Sequence, residues 1–388
     1  MEFRIAVPKD RSEVEGLWAY CFEAEDSPFF FFFFGDWEPG DTLCGFEGDE
    51  LAACVHLNPY TLSLRGGQFY VPYIVGLATA PTARRGGIAG KLLYESLLEM
   101  RRRGAVFNIL MPSKAGFYYP YGWEMCYNQL RYRLPLEELR SLTDRRGDFR
   151  LFDSHDGWQE LKVVYDAFTA SRHGFAVRGE RDWRRLIDSH HAEKGRTVLL
   201  SLNGKPIGYL MYYLRDGAFM VGDMAYTKHA ARGMLLAYMY NHRSQVKEGE
   251  WGAPLDDMLH LALPDPKRAV WHEPFMAGRI VDVAGALMAV NWQKGAKGKL
   301  NLAVTDLLAE WNNGVFAVAV DDGKASVIKT NAAADVVCGV GALAMLLFGS
   351  HSAHDLCADG RMSCNSAAAL DVLACGLPPC RNYINEYF

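Results

Sequence analysis

Six consecutive residues, Arg84-Arg85-Gly86-Gly87-Ile88-Ala89, set two cations and two glycines directly before an amphipathic run. A helix N-terminus offers unpaired N–H groups and the positive end of the helix dipole to an anion. Gly86 and Gly87 let the backbone approach closely, and Arg84 and Arg85 add charge-assisted hydrogen bonds. The chemistry implied is a pyrophosphate cradle. A Walker loop is excluded because no Gly-Lys-Ser/Thr follows, and a Rossmann turn because its three-glycine spacing is missing. A second cluster is phenolic: Gly116-Phe117-Tyr118-Tyr119-Pro120-Tyr121-Gly122-Trp123. A phenol with a pKa of about 10 can act as a general acid toward a basic leaving group, although each of the three tyrosines could equally be core. A third feature is acidic: Glu23, Glu25, Asp26, Asp36, Glu38 and Asp41 surround the run Phe29 to Phe34. Carboxylates among aromatic faces suit a polycation. A hydrophobic lid with solvated acids around it reads the same segment equally well.

These groups need elements to position them. Phe3 to Val7 is expected as a strand, and Lys9 to Phe22 carries Val14, Leu17, Trp18 and Cys21 at helical spacing. Strand-like runs Leu51 to Ser63 and Phe69 to Thr79 flank Arg65-Gly66-Gly67, a hairpin turn. The glycine-rich loop then opens a helix with the stripe Ile88, Leu92, Leu93, Leu97 and Met100, closed by Gly104. Ala105 to Met111 reads as a buried strand.

A second copy of this plan begins near residue 149. Phe149-Arg150-Leu151 through Phe168 parallels Phe3-Arg4-Ile5 through Phe22, and MAYTKHAARGMLLAYMY from Met224 parallels LATAPTARRGGIAGKLL from Leu77. Arg84 and Gly87 become Ala231 and Met234, so this copy reads as scaffold without a nucleotide site. From Arg279 a third segment follows: a short amphipathic helix (Ile280, Val281, Val283, Leu287, Met288), then strands Lys299–Val304, Val315–Val320 and Ala325–Lys329. The apolar Ala332 to Gly349 reads as a buried helix. Helices segregated from an antiparallel sheet make this an α+β domain.

The bulk numbers set limits. The chain has 388 residues, 50% of them apolar and 22% charged, enough for two or three domains of ordinary composition. A net charge of −5 argues against nucleic acid as a partner and is compatible with a cationic small molecule. No apolar run reaches membrane-spanning length and the first residues lack a signal-peptide pattern, so no membrane role and a cytoplasmic location are expected. Nine cysteines without any C-x-x-C are expected to be reduced thiols. His351, His354 and Cys357 share a three-residue spacing, but no second half of a zinc pattern follows, and ordinary packing is the expectation there, with no metal.

Arg84-x-x-Gly87-x-Ala89, placed after a hairpin and before a long amphipathic helix, resembles motif A of the GNAT acetyltransferase superfamily. The whole chain resembles the Eis (enhanced intracellular survival) acetyltransferases. The likeness is carried by that loop, the aromatic segment Gly116 to Trp123, the run Met276 to Val283, and the chain end Glu386-Tyr387-Phe388. The resemblance implies two tandem GNAT-like domains, each a mixed sheet with flanking helices, the second without cofactor, and a C-terminal sterol-carrier-protein-like α+β domain. The expected boundaries are 1–136, 137–276 and 277–388. It implies acetyl-CoA as co-substrate, bound by the backbone of Leu77, Ala78 and Thr79 and by Arg84, Arg85, Gly86, Gly87, Ile88 and Ala89. It further implies an aminoglycoside- or polyamine-like amine as acceptor, and a homo-oligomer, often a hexamer. Tyr118 occupies the family's acid position, and the carboxylate of Phe388 has the partner role, as base or as an anchor for the ammonium. The family's acceptor contacts do not align cleanly with this chain; Phe22, Asp26, Trp37 and Glu386 are the acceptor-facing candidates. Two other functions stay open: a lipid-binding protein with acetyl-CoA as regulator, and a protein lysine acetyltransferase.

Overall fold

The computed structural model describes residues 1–84 and 86–387. Two compact units emerge: Met1–Tyr127 with His173–Val177 and Phe275–Phe388, and Asn128–Arg172 with Arg178–Pro274.

The first unit begins with β1 (Glu2–Ile5), α1 (Arg11–Cys21), α2 (Pro28–Gly35), β2 (Thr42–Glu47), β3 (Glu50–Leu64), β4 (Gly67–Thr79), α3 (Ile88–Arg102), β5 (Phe107–Leu110) and α4 (Ala115–Tyr118). Strands β1 to β4 form an antiparallel ladder, and β5 joins β4 in parallel. Because side chains alternate along β3, Val55 and Leu57 meet Leu92, Leu93 and Leu97 of α3 on one face, while Cys54 meets the cluster of Trp18, Phe33 and Phe34 on the other. The hairpin between β3 and β4 turns on Arg65 (φ 48°) and Gly66 (φ 72°), the double left-handed geometry of a two-residue loop. The phenylalanine run is α2, started by Ser27, whose Oγ accepts the Phe30 N–H. Phe30, Phe33 and Phe34 are buried in the unit's own core, and Phe31 is exposed.

The second unit takes most of β6 (Glu124–Pro135), then β7 (Asp148–Phe152) and α5 (Trp158–Thr169). The short β8 (Phe175–Ala176) belongs to the first unit and pairs with β3. The second unit continues with α6 (Glu180–Ala192), β9 (Arg196–Leu202), β10 (Lys205–Arg215), β11 (Ala218–Tyr226), α7 (His229–Tyr240), β12 (Glu248–Ala253) and α8 (Pro266–Ala269). Its strands run β6-β12-β11-β10-β9-β7, and β12 lies parallel to β11 as β5 does to β4. The repeat read in the sequence is therefore a repeat of fold.

The first unit resumes within β13 (Val270–Ile280), which pairs with β5 through Ala277–Ile280, and adds α9 (Val283–Ala289). Next come β14 (Gly298–Thr305), β15 (Gly314–Asp321), β16 (Lys324–Thr330), β17 (Val336–Gly339), α10 (Val340–Leu347), α11 (Ala353–Ala358), β18 (Met362–Cys364) and α12 (Ala367–Gly376). Three expectations are corrected here. Arg279 and Ile280 close a strand, and the helix starts only after Asp282, whose carboxylate accepts the Gly285 N–H. The apolar run from Ala332 splits into β17 and α10, because Val336 and Cys338 face the core with period two before the helix begins. The five-stranded sheet β16-β15-β14-β17-β18 is mixed, since β17 returns parallel to β14. Among the described residues no helix is long and apolar enough to cross a membrane.

Burial pushes three imidazoles down, His56 to about 3 and His173 and His190 to about 4. Each binds a proton in the unfolded chain from pH about 6.5 downward but not in the folded one, so stability rises with pH across this window. Three such protons give a slope of up to about 4 kcal/mol per pH unit. Chemical unfolding measured at pH 7 and pH 5 is expected to show a marked loss of stability at pH 5.

Candidate active site

Strand β4 pairs with β5 only at Tyr73↔Ile109 and Ile74↔Leu110. It then runs on to Thr79 while β5 ends at Leu110, so the two strands part. At the parting point Gly76 sits at φ 58°, beside the register shift between Cys54 and His56 of β3. A side chain at Gly76 would collide with the Trp18 ring. The result is a strand edge, from Val75 to Thr79, open to an extended ligand that can pair with it through main-chain hydrogen bonds.

The loop follows at once. A 3-10 turn, Pro81–Ala83, leads to exposed Arg84. Gly87 is the N-cap of α3 at φ 72°, and brings no side-chain acceptor, so the first amides of the helix are left for a ligand. Ile88 and Ala78 bury their side chains, and both can offer only backbone. Ala89 is half-buried, and Gly86 has room around it. The Arg84 guanidinium folds back, donating from Nε to Thr79 O at 3.2 Å and lying 5.5 Å from the Tyr20 ring centroid, with Cys21 Sγ 3.8 Å from Nη2. Tyr20 and Cys21 gave no signal in the sequence as neighbours of this loop. Arg85 lies outside the described residues.

Tyr118 ends α4, and Tyr119–Tyr121 continues as a 3-10 turn closed by Gly122 at φ 86°. The turn abuts the first turn of α3: a Cβ on Gly90 would lie 3.0 Å from Tyr121 Oη. Tyr118, Leu77 and Ala80 pack against the same apolar cluster as Ile88. Loop, strand end and phenol therefore converge. Burial raises the Tyr118 pKa, which keeps the phenol protonated at neutral pH. Tyr119 is exposed. Trp123, one step further, donates from Nε1 to Asn108 Oδ1 at 2.6 Å, and Asn108 Nδ2 donates to Pro72 O of β4 at 2.7 Å. That chain of bonds ties the phenolic segment to the point where the pairing of β4 with β5 begins, just ahead of Tyr73 and Ile109.

On the opposite face of the sheet, Phe22 is exposed at the end of α1 with its ring 4.8 Å from Trp18, and Asp26 is exposed in the loop that follows. Trp37 is half-buried and its Nε1 donates to Thr42 Oγ1 at 2.8 Å, so it can serve as a wall but not as a donor. The chain end returns to β4: Tyr73 Oη donates to Glu386 O at 3.3 Å, and Glu386 is buried. Phe388 lies outside the described residues.

In the repeat, the position of Arg85 is taken by Arg232, which pairs with buried Asp257. Asp257 also accepts from Tyr132 Oη at 2.9 Å and Tyr226 Oη at 3.1 Å. A Cβ on Gly233 would meet Leu142 O at 3.2 Å. The cation that would face a phosphate is spent inside the fold, and backbone covers the glycine.

A parted strand pair, an uncapped glycine-led helix and a protonated phenol are the parts of an acyl-CoA-dependent acyltransferase. Comparison with known proteins agrees. Residues 2–126 and 174–280 each match the acetyltransferase (GNAT) domain, and 283–384 match the sterol carrier protein domain. An uncharacterized N-acetyltransferase of Streptomyces griseus is 28% identical over 322 residues, 76% of either chain. One from Streptomyces coelicolor is 24% identical over 343 residues, covering 83% of this chain and 82% of the relative. A probable N-acyltransferase of Enterococcus faecalis superposes with a TM-score of 0.89 at 22% identity, over 100% of this chain and 99% of that one. Eis1 from Mycobacterium abscessus superposes with a TM-score of 0.77 at 21% identity over 100% of both chains; at these identities the structures establish the fold. The chain belongs to the GNAT acetyltransferases, with two GNAT domains followed by a sterol carrier protein domain, and it shares its fold with Eis1. It is an acetyl-CoA-dependent acetyltransferase.

The left-handed Gly87 gives a direct test of the loop. A β-branched residue at φ 72° costs about 1–2 kcal/mol or shifts the helix start. Gly87→Val is expected to weaken acetyl-CoA binding about tenfold in titration calorimetry, with a fall in melting temperature of about 3–6 °C.

Proposed function

We propose that the acceptor is a primary amine of a cationic small molecule, aminoglycoside- or polyamine-like, bound among the aromatic and acidic residues that follow α1. The observation that carries this reading is a set of acids left without a cation. Asp41 is neutralised by Arg103 at 3.0 Å, whereas Glu25, Asp26, Asp36 and Glu38 are exposed and make no ion pair among the described residues. They stand around α2, whose Phe31 is exposed, and beside exposed Phe22. Carboxylates with aromatic faces attract a multiply charged amine.

In this reading residues 1–136 are the catalytic domain, 137–276 its degenerate copy and 277–388 the domain that delivers the chain end. Leu77, Ala78 and Thr79 hold the pantetheine arm by backbone, and Arg84, Arg85, Gly86, Gly87, Ile88 and Ala89 hold the pyrophosphate. Acetyl-CoA supplies an activated acetyl thioester. Asp26, Glu386 and the terminal carboxylate of Phe388 hold the ammonium, and one of its protons leaves through the terminal carboxylate or water before the nitrogen attacks. As the C–N bond forms and the C–S bond breaks, Tyr118 Oη gives its proton to the sulfur. A carboxylate with a pKa of about 3.5 is a weak base for an alkylammonium, so orientation accounts for more of the rate than proton affinity.

The test is a thiol-release assay with acetyl-CoA and a panel of spermine, spermidine and aminoglycosides. Turnover of several polyamines, lost on removal of Phe388, is the expected result. Binding of acetyl-CoA without turnover of any amine, together with acetylation of protein lysines, would overturn the choice of acceptor.

A further inference from the structure

One residue holds the chain end to the catalytic domain with every polar group it has. His173 follows α5, at the place in the repeat that the acid-bearing loop after α1 holds in the first copy. Its backbone N–H donates to Arg381 O at 2.9 Å, and its carbonyl accepts the Tyr383 N–H at 2.9 Å, a parallel bridge centred on Asn382. Its ring Nε2 accepts the Arg65 N–H at 2.8 Å, so the proton must sit on Nδ1, which donates to Asn382 Oδ1 at 2.6 Å. Asn382 Nδ2 is then turned to Cys126 O, 3.1 Å away. This is a single consistent proton arrangement, and it requires a neutral imidazole.

Both ends of this clasp are anchored. The segment around His173 is strapped to the β3 edge: Gly174 N–H donates to Ser63 O at 2.7 Å and Val177 N–H to Thr61 O at 2.7 Å. The Arg65 guanidinium donates to Leu346 O and Pro378 O, both at 2.6 Å, and to Leu347 O at 3.1 Å, capping the end of α10. Beyond the clasp Tyr383 and Ile384 are buried, and Glu386 comes under Tyr73 of β4.

We propose that His173 is a positioning residue for acetyl transfer, locking the tail through Asn382 to the Arg65 turn so that the terminal carboxylate is presented to the acceptor site. This rests on the reading that the chain end takes part in turnover. The loop that in the first copy faces the acceptor has, in the degenerate copy, become the strap of the tail.

The experiment uses the full chain with His173→Ala and, as a second variant cutting the same clasp from the other side, Asn382→Leu. Loss of two buried hydrogen bonds raises the undocked population of the tail roughly tenfold or more. A carboxypeptidase is therefore expected to release Phe388 and Tyr387 about tenfold faster from either variant. Acetyl-CoA affinity stays at the wild-type value while kcat for spermine or kanamycin falls, and His173→Asn, which keeps the Nδ donor, recovers part of it. In a chain lacking Phe388, adding His173→Ala lowers kcat no further. Wild-type resistance of the tail in both variants, or a further loss of kcat in the shortened chain, overturns the role of His173. Wild-type turnover without Phe388 overturns instead the reading on which it rests, whatever the tail does.

Discussion

Tyr118→Phe is expected to lower kcat by about a hundredfold and leave the acetyl-CoA dissociation constant within about twofold of wild type. In the proposed mechanism Tyr118 Oη gives its proton to the departing sulfur. The departing sulfur needs a proton, and the only change in this variant is loss of the hydroxyl at the end of α4. Burial raises the Tyr118 pKa, so the proton-donating form persists above the ordinary phenol range, and the alkaline limb of kcat in wild type should lie correspondingly high. Tyr119→Phe should be nearly silent, because Tyr119 is exposed. Tyr121→Phe should act on acetyl-CoA binding more than on kcat, because Tyr121 packs on the first turn of α3. Equal losses in all three variants would mean that the segment serves packing and that another group supplies the proton.

How much of this was legible in the sequence depended on whether the information was local. The turn at Arg65-Gly66, the stripe on α3 and the loop at Arg84 are written in neighbouring residues, and the structure realises them where the pattern put them. The repeat was legible because whole elements recur in order. The split of the Ala332 run into β17 and α10 was hidden, since a short apolar stretch suits a buried strand and a buried helix alike. Long-range pairings were invisible. Arg65 reads as a turn residue, yet its side chain caps α10 some 280 positions along the chain. His173 carries no motif and is defined only by the groups that fold around it. The same holds for Tyr20 and Cys21 beside Arg84, and for the commitment of the Trp37 N–H to Thr42, which periodicity cannot express.

Arg279→Met is expected to destabilise the first unit by about 3–5 kcal/mol, a fall in melting temperature on the order of 10 °C. Arg279 and Asp306 are fully buried and joined through both guanidinium nitrogens, at 2.9 and 3.1 Å. Asp306 also accepts the N–H groups of Leu308 and Ala309 and the Asn312 amide, so it shapes the turn after β14. Removing the arginine leaves that carboxylate buried without its cation. The guanidinium also lies 5.0 Å from the Trp123 ring centroid, and a Cβ on Gly122 would come within 3.3 Å of its Cζ. The pair thus lies against the phenolic segment and joins β13 to the turn after β14. Replacing both partners, Arg279→Met with Asp306→Leu, should recover only part of the stability, because the uncompensated buried charge disappears while the donors of Leu308, Ala309 and Asn312 lose their acceptor. Activity should not return with it: Leu accepts none of the three bonds that order the turn after β14, and Trp123 loses its cationic support. Thermal unfolding and kcat measured on the single and double variants separate the two effects. Stability and activity recovering together would show the pair to be a fold element with no bearing on the placement of Tyr118.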